Sequence, residues 1–255
     1  SFFASSFKDS AILSIDGFGD FTSTMTAIGC DNSFKVLNQV SYPHSLGVFY
    51  TAATQFLGFP NYGDEYKVMG LAPYGQAKYL NDLAKILELT DDGFFKLRKN
   101  YFRHFDKGVS MDWEGGSPKT ESLFTLAWEE LFGKSRKEGD KVEKWHIDLA
   151  ASIQRFTEMV IFHMLNHLQK ETGCKNICIT GGVAQNSVVN GKILENTSFD
   201  NIYIPSAGHD AGTSIGSALY LYNQILGKSR GLEVKTAYFG SQYSHEDIVM
   251  LLDVE

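Results

Sequence analysis

Ile179-Thr180-Gly181-Gly182-Val183-Ala184-Gln185-Asn186 is the stretch of sequence that decides the fold. An apolar run at residues 176–179 predicts a strand before it, and the pattern over residues 183–194 predicts a helix after it. Two glycines at this junction remove the Cβ atoms that would keep a ligand away, and the N–H groups of a helix N-terminus attract anions. A tight turn that needs glycine for its backbone angles explains the same spacing. Both interpretations, an anion site and a tight turn, stay open at this point.

A second glycine-rich stretch, Gly208-His209-Asp210-Ala211-Gly212-Thr213-Ser214-Ile215-Gly216, follows a predicted strand at residues 201–204. It leads into a predicted helix of small residues over 211–226, which permits the close approach of another backbone or of a ligand. Asp210 would be either an N-cap or a metal ligand, because ligands of open α/β sheets gather at the carboxyl ends of the strands. The spacing leaves both roles open.

Asp16 ends an apolar strand predicted over residues 10–16, and the turn Gly17-Phe18-Gly19-Asp20 follows it. An acid that leaves a strand into a glycine turn is typical of phosphate and metal loops, although Asp-Gly is also a common hairpin turn. A carboxylate at the end of a buried strand is costly to bury without a partner, which favours a ligand role. Further strands predicted at residues 21–30 and 34–40 complete an antiparallel meander.

The order of these elements predicts an α/β fold with a mixed sheet and flanking helices, antiparallel in its first part and parallel in its last. Residues 1–77 and 146–230 are predicted to form one discontinuous subdomain. The charged, aperiodic segment 78–145 is predicted to be a helical insertion that covers one edge of the sheet. Residues 231–255 are predicted to begin a linker toward a further domain.

Residues 45–57 and 148–169 carry apolar side chains at helical spacing and predict two longer helices. On the second of these, His163 and His167 share one face, a spacing that metal-binding histidines use. No acidic residue accompanies them in a His-Glu-x-x-His arrangement, and their apolar neighbours indicate a packing face, so we assign no metal to them. The other isolated histidines are expected to be hydrogen-bonded structural residues: His44, His104 and His146.

The composition excludes several classes of partner. The net charge is −7, from 23 basic and 30 acidic residues, whereas a nucleic-acid surface needs an excess of basic residues. No apolar run approaches the ~20 residues of a membrane helix, and no signal peptide is present. The cysteines Cys30, Cys174 and Cys178 have no zinc-type spacing, and the last two are expected to be buried free thiols, as in a reducing cytosol. We therefore expect a cytoplasmic protein that binds neither nucleic acid nor membrane.

Lys67 lies in the stretch Glu65-Tyr66-Lys67-Val68-Met69-Gly70-Leu71-Ala72. A lysine beside a carboxylate is usually solvated or paired. In a glycine-containing stretch it could instead neutralise a phosphate group. The sequence leaves both interpretations open.

Five stretches together resemble one family, the NodU/CmcH-type O-carbamoyltransferases, in which they occur in the same order and span residues 1 to about 245 of this chain. Each is weak alone, but five in order are specific. The stretches are Ser-Ile-Asp-Gly-Phe-Gly-Asp at 14–20, Pro-His-Ser-Leu-Gly-Val-Phe-Tyr at 43–50, Glu-Tyr-Lys-Val-Met-Gly-Leu-Ala-Pro-Tyr-Gly at 65–75, Thr-Gly-Gly-Val-Ala-Gln-Asn at 180–186 and His-Asp-Ala-Gly-Thr-Ser-Ile-Gly at 209–216.

This resemblance implies a fold and a reaction. The family's N-terminal domain is similar to the universal tRNA threonylcarbamoyl-transfer enzyme and has an actin-like ATPase fold of the ribonuclease-H-like type, of which this chain would form one half. A C-terminal domain makes carbamoyl adenylate from carbamoyl phosphate and ATP. The actin-like domain then transfers the carbamoyl group to a hydroxyl of a small-molecule acceptor, with a divalent metal, Fe²⁺ or Mg²⁺, bound nearby.

The resemblance also implies roles for individual residues. Asp210 matches the family's metal-binding aspartate after the last core strand, and Asp16 is placed where a second acidic ligand is expected. Carboxylate oxygens suit both iron and magnesium. The residues expected to contact the nucleotide are Gly181, Gly182, Val183, Asn186, Gly17 and Lys67.

The chain departs from the family pattern at both ends. The family has two metal-ligand histidines, four residues apart, just upstream of a segment like Ser1-Phe2-Phe3-Ala4-Ser5-Ser6-Phe7. We therefore expect a piece of a longer protein, whose N-terminal half and C-terminal adenylate-forming domain would be its partners. The metal site in the chain would then be partial and the piece inactive by itself.

Two other functions stay open from the sequence. The chain could hold nucleotide without catalysis, which the expected absence of the histidines and of a first phosphate loop would favour. It could also belong to an actin-like kinase or to a relative of the tRNA threonylcarbamoyl-transfer enzyme, although residues 65–75 and the Asp16 loop match carbamoyltransferases better.

Overall fold

A five-stranded mixed sheet forms the centre of the structure, a computed structural model that describes residues 1–113, 118–231, 233–238 and 240–253. The strands, in chain order, are β1 (Asp9–Ile15), β2 (Thr22–Cys30), β3 (Ser33–Ser41), β4 (Leu87–Leu89), β5 (Phe95–Leu97), β6 (Met111–Asp112), β7 (Lys119–Thr120), β8 (Asn176–Thr180) and β9 (Asn201–Tyr203). The α-helices are α1 (Leu46–Phe56), α2 (Glu65–Leu71), α3 (Leu80–Ile86), α4 (His104–Lys107), α5 (Ala127–Phe132), α6 (Lys144–Thr172), α7 (Ser187–Asn190), α8 (Ile193–Asn196), α9 (Thr213–Leu219) and α10 (His245–Leu252).

The order of strands in the large sheet is β3-β2-β1-β8-β9. The first three strands are antiparallel neighbours, and β1, β8 and β9 are parallel to one another. The strands come from both residues 1–77 and residues 146–230. This topology confirms the predicted mixed α/β sheet, with a meander followed by a parallel part.

Strand β1 is buried on both faces because apolar layers cover the sheet on each side. Leu13 belongs to the larger apolar cluster, which contains the buried residues of α1 and α6. Ile12 points to the opposite face and belongs to a smaller cluster with Phe2, Phe3 and Tyr203. A strand that is buried on both faces has a nearly continuous run of apolar residues. This is why the sequence of residues 10–15 predicts a strand.

Both long helices begin at a side-chain cap. The Ser45 hydroxyl accepts a hydrogen bond from the Val48 N–H at the start of α1, which lies within the predicted 45–57. Helix α6 is longer than the predicted 148–169 because a capping box between Glu143 and His146 starts it earlier, and it ends at Gly173 in the left-handed conformation.

The segment 78–145 differs from its prediction as a helical insertion over one sheet edge. Its described part contains three short helices, α3, α4 and α5, together with the hairpins β4–β5 and β6–β7. Its largest buried side chain, Trp128, lies against Phe49 and Phe56 of α1. The segment therefore packs on helices rather than along a strand. The predicted break at residues 114–116 lies outside the described residues.

Two predicted helices are interrupted. The helix predicted over residues 183–194 is a 3-10 turn (Gly182–Gln185) followed by α7 and α8, because Asn186 uses its side chain to cap the Val189 N–H and so starts a new helix. The helix predicted over 211–226 is a 3-10 turn (Asp210–Gly212), then α9, then a π-helical turn (Tyr220–Ile225). Apolar spacing alone does not reveal such breaks.

The remaining composition-based predictions concern cysteines, membranes and the tail. Cys174 and Cys178 are buried free thiols as predicted, and Cys30 is exposed. Within the described residues no helix is long and apolar enough to cross a membrane. In the predicted linker, Ser244 caps α10 through a capping box with Asp247; residues 232, 239, 254 and 255 of that segment lie outside the described residues.

The turn after β8 brings three chain segments into contact. Gly181 has a φ of +97°, and a Cβ at this position would lie 2.0 Å from the carbonyl oxygen of Ile15 at the end of β1. Its N–H donates to the carbonyl oxygen of Gly208, 2.6 Å away in the loop after β9. The neighbouring Gly182 is exposed, and a Cβ there would meet only the Asp16 side chain, with Oδ1 3.0 Å away. Gly181 therefore forms the tight turn, and Gly182 presents open backbone.

We predict that Gly181→Ala lowers the free energy of unfolding far more than Gly133→Ala. Both glycines have φ near +90° and an extended ψ, so alanine at either position costs about 1–3 kcal/mol of backbone strain. Only at Gly181 must the Ile15 carbonyl also move, which adds about 1–3 kcal/mol of overpacking. Urea unfolding of the two variants measures the difference, and equal losses would contradict the close contact described here.

Candidate functional site

A cavity of about 350 Å³ lies at the carboxyl ends of the parallel strands β1 and β8. Its walls come from the loop after β1, the first half of α1, the segment that leads into α2, and the turn after β8. The loop after β9 contributes Asp210. Ligands of open α/β sheets bind at this end of the strands, so the topology and the cavity point to the same place.

The structure brings most of the predicted site residues together. Gly181 lies behind the cavity wall, against the end of β1. Lys67 does not line the cavity, and its ammonium group pairs with the Asp64 carboxylate at 2.7 Å. A role for Lys67 at a phosphate group would require that it leave this partner. The predicted residues that line the cavity are Asp16, Gly17, Gly182, Val183, Asn186 and Asp210.

The loop that carries Asp16 is held by the start of α1. The Ser45 hydroxyl donates to the carbonyl oxygens of Asp16, at 3.2 Å, and of Gly17. A Cβ at Gly47 would lie 2.6 Å from the Cα of Gly17, so only glycine permits this approach. Asp16 itself is half-buried, and its Oδ1 accepts a hydrogen bond from the Gly17 N–H at 2.7 Å. The loop connects the antiparallel strands β1 and β2, and its packing against α1 fixes it in addition to the hydrogen bonds of this hairpin.

Asp210 is exposed at the start of the 3-10 turn that precedes α9. The cap of this turn is His209, whose ring nitrogen accepts from the Ala211 N–H at 3.4 Å, so the Asp210 side chain is not used as an N-cap. Its carboxylate borders the same cavity as Asp16. The alternative in which Asp210 only caps a helix is therefore wrong.

A third carboxylate and two tyrosines complete the acidic side of the cavity. Glu65 accepts a hydrogen bond from the Thr51 hydroxyl at 2.6 Å. Burial raises the pKa of the Tyr50 phenol, and the carboxylates of Glu65 and Glu158 raise it further. Burial also raises the pKa of Tyr62, and the carboxylates that add to this effect are, in order, Asp210, Glu65 and Asp16. Both phenols therefore stay protonated at neutral pH.

The charge of this cavity restricts what it can bind. Among the described residues that line it there is no lysine, arginine or histidine, while three carboxylates border it. The described part of the chain contains no group of three histidine, cysteine or acidic side chains placed to hold a metal ion. Asp16 and Asp210 offer hard oxygen donors that suit Mg²⁺ or Fe²⁺, but as two carboxylates they would supply only part of a coordination sphere.

Asn186 is held in the cavity wall by a buried amide pair. Its Nδ2 donates to Gln154 Oε1 at 3.0 Å, and the Nε2 of Gln154 donates back to Asn186 Oδ1 at 3.1 Å. The Tyr50 hydroxyl donates to the same Gln154 oxygen at 3.1 Å. Gln154 is 4% exposed, so it acts as a buried hub that orients two cavity residues.

Glu158 lies one helical turn beyond Gln154 on α6 and is fully buried. Lys192 pairs with Glu158 Oε1 at 2.7 Å, and Arg155 pairs with Oε2 at 3.1 Å. The Gln154 Nε2 donates to the same Oε1 at 3.4 Å. Two cationic partners satisfy the charge of this buried carboxylate, as a buried ion requires. The polar network thus continues from the cavity into the core of the protein.

The histidines have structural roles, as predicted. His163 is within hydrogen-bonding distance of the Thr90 carbonyl oxygen at 2.9 Å, and His167 packs against Gly93 in the same turn. The isolated histidines are each hydrogen-bonded to backbone groups: His44 to the Leu97 N–H, His104 to the Pro43 carbonyl and His146 to the Glu143 N–H.

Sequence reasoning did not single out several residues of this cavity. Gly47 and Glu65 lie inside two of the quoted stretches, so the sequence could have indicated both as site residues. The sequence carried one signal for Gln154. It is a polar residue within the apolar helical pattern of α6, and another buried polar residue follows four positions later. Tyr66 lies in the same quoted stretch as Glu65, whereas Tyr62 lies outside the quoted stretches and only the fold places it at the cavity.

Comparison with known proteins gives the family. The carbamoyltransferase N-terminus family matches residues 1–219. The chain therefore belongs to this family, which agrees with the resemblance found in its sequence motifs.

Individual relatives agree with this assignment. An uncharacterized protein, sll1178, from Synechocystis sp. is 37% identical over 97% of this chain and 39% of its own length. The nodulation protein NolO of Bradyrhizobium diazoefficiens is 34% identical over 98% of this chain and 41% of its own length. The chain thus spans about two fifths of the length of these curated relatives. A solved structure, HypF from T. kodakarensis, matches 87% of this chain and 34% of its own at 15% identity, with a TM-score of 0.39, too low to support a conclusion.

We predict that Gln154→Met lowers the free energy of unfolding by about 2–3 kcal/mol, because Asn186 and Tyr50 lose a buried partner. The control is Gln169→Met, the same substitution on the same helix, where the described structure gives the side chain no hydrogen bond; it should change stability by less than about 0.5 kcal/mol. Thermal and urea unfolding of both variants provide the measurement. If Gln154→Met is as stable as Gln169→Met, the amide pair does not support the cavity wall.

Proposed function

We propose that the protein containing this chain transfers a carbamoyl group from carbamoyl adenylate to a hydroxyl of a small molecule. The observation that carries this proposal is the cavity at the strand ends, where two acids and an open glycine turn meet in a chain of the carbamoyltransferase N-terminus family. Carbamoyl adenylate would be formed from carbamoyl phosphate and ATP by another part of the same protein. The buried free thiols of Cys174 and Cys178 support a cytoplasmic location.

The nucleotide part of the substrate would lie against the turn after β8. Gly182 and Gly17 expose backbone, because a Cβ at Gly17 would meet no atom within 4 Å and one at Gly182 would meet only the Asp16 side chain. A phosphate group could therefore approach the main chain closely at Gly182, whereas the Gly17 N–H already donates to the Asp16 carboxylate. Val183 offers apolar surface, and the second Nδ2 hydrogen of Asn186 is available as a donor.

A divalent cation would be held in part by Asp16 and Asp210. The acidic cavity favours this arrangement, since an anionic substrate would otherwise meet carboxylates with no basic side chain among the described lining residues. The remaining ligands would come from the substrate phosphate and from another part of the protein, which includes the histidine pair expected from the family. When bound, Fe²⁺ or Mg²⁺ supplies positive charge that polarises the carbonyl and phosphate oxygens.

The transfer forms one bond and breaks another. The acceptor hydroxyl oxygen attacks the carbamoyl carbon, and the bond from that carbon to the phosphate oxygen breaks. AMP leaves with the electron pair of that bond, and the hydroxyl proton passes to water. Tyr50 and Tyr62 remain protonated, so neither serves as a base. The Tyr50 hydroxyl donates to Gln154, which leaves the Tyr62 hydroxyl as the phenol that would orient a substrate oxygen. The fixed loop around Asp16 keeps these groups in place during the reaction.

We predict that Asp210→Asn in the protein containing this chain reduces carbamoyl transfer at least about 100-fold. The variant removes one of the two carboxylates that would hold the cation, and loss of electrostatic stabilisation at the reacting carbonyl has an effect on this scale. Formation of carbamoyl adenylate and pyrophosphate in the adenylate-forming domain should continue, since that step would use a different part of the protein. Transfer is followed by mass spectrometry of the acceptor and adenylate formation by ATP–pyrophosphate exchange.

The matched control is Asp200→Asn, at an exposed aspartate that pairs with Lys175 on the surface. This variant should transfer at the wild-type rate. Normal transfer by Asp210→Asn would refute the proposed site. Loss of both transfer and exchange would favour a role in holding nucleotide for the whole protein rather than in the transfer step.

A further inference from the structure

A second cavity, of about 720 Å³, lies within segment 78–145. Residues around α4 and the chain before α5 line it, and it shares no lining residue with the cavity at the strand ends. Helix α1 connects the two: Gly47 and Thr51 border the first, and the Phe56 ring lies 5.3 Å from that of Phe124, which borders the second.

The second cavity has an excess of positive charge. Lys99 pairs with Asp106 at 2.7 Å. Arg103 and Lys107 also line the cavity, and within the described residues their side chains form no ion pair or hydrogen bond. Two uncompensated cations at one cavity stand out in a chain whose net charge is −7. Unpaired guanidinium and ammonium groups recognise phosphate, sulfate and carboxylate groups.

The base of this cavity is apolar and firmly held. Phe102 is buried, and its ring lies 6.1 Å from that of Trp128. The backbone joins the two sides: the Arg103 N–H donates to the Leu123 carbonyl oxygen at 2.9 Å, and Phe102 and Phe124 form an antiparallel bridge. Leu126 leaves 76% of its side chain exposed at the rim. The site is therefore preformed and offers apolar surface beside its cations.

We propose that this cavity binds a small anionic molecule that carries an apolar group, such as an aromatic or aliphatic phosphate, sulfate or carboxylate. Arg103 and Lys107 bind the anion, and Phe124 and Leu126 contact the apolar part. This proposal does not rest on carbamoyl transfer, because it uses none of the residues of the first cavity. It gives segment 78–145 a binding role separate from the strand-end site.

Phenyl phosphate is the probe that combines both features. Its binding to the chain is measured by ligand-observed NMR titration, with benzoate and inorganic phosphate as the arms that separate a singly charged aromatic anion from a phosphate without an apolar group. The double variant Arg103→Ala/Lys107→Ala should bind phenyl phosphate at least about tenfold more weakly, since each charge-assisted contact contributes on that scale. Both side chains lack partners in the described structure, so the fold should be preserved.

The control Lys134→Ala/Lys137→Ala removes the same charge from exposed positions in the same segment and should bind as the wild type does. Leu126→Ser should weaken phenyl phosphate about threefold or more and leave inorganic phosphate unchanged, because it removes only apolar contact. The proposal is overturned if the wild type does not bind phenyl phosphate at millimolar concentrations. It is equally overturned if the two double variants lose affinity to the same extent.

Discussion

The contact between Gly181 and Ile15 is the constraint on which the strand-end site depends. A Cβ at position 181 would lie 2.0 Å from the Ile15 carbonyl oxygen, which is too close without a shift of the backbone. The Gly181 N–H also donates to the carbonyl oxygen of Gly208. One backbone position thus joins the ends of β1 and β8 to the loop after β9. Because these loops touch, Asp16 and Asp210 come to border one cavity although they lie far apart in the chain.

Helix α1 supplies the matching constraint from the other side. Gly47 allows the helix to lie directly on Gly17. The Ser45 hydroxyl caps the helix and also donates to backbone carbonyls of the Asp16 loop, which holds that loop against the helix. The loop is therefore fixed at one end by a strand and at the other by a helix N-terminus. Gln154 completes this support from α6, since it holds Asn186 and Tyr50 at once. Such buried polar networks fix orientation more than they add stability.

The sequence predicted what depends on local patterns. The apolar run before Asp16 and the glycines at 181 and 182 identified the strand ends, and the order of motifs indicated the family. Local patterns failed where contacts distant in sequence determine the structure. Asn186 ends one helical turn and starts another, and Trp128 anchors a segment that has no helical periodicity by packing on α1. Gln154 was missed because its partners are 32 and 104 residues away in the chain. Its role follows from tertiary packing, which the spacing of residues in the sequence does not show.

The two cavities differ in charge in a way that restricts their ligands. Carboxylates border the strand-end cavity without a basic side chain in its described lining, so this cavity repels an anion and attracts a cation. The cavity in segment 78–145 has unpaired basic groups, which attract anions. Helix α1 borders the first cavity and carries Phe56, whose ring lies 5.3 Å from that of Phe124 at the second. The opposite charge of the two cavities therefore favours different ligands, although one helix contributes to the surroundings of both.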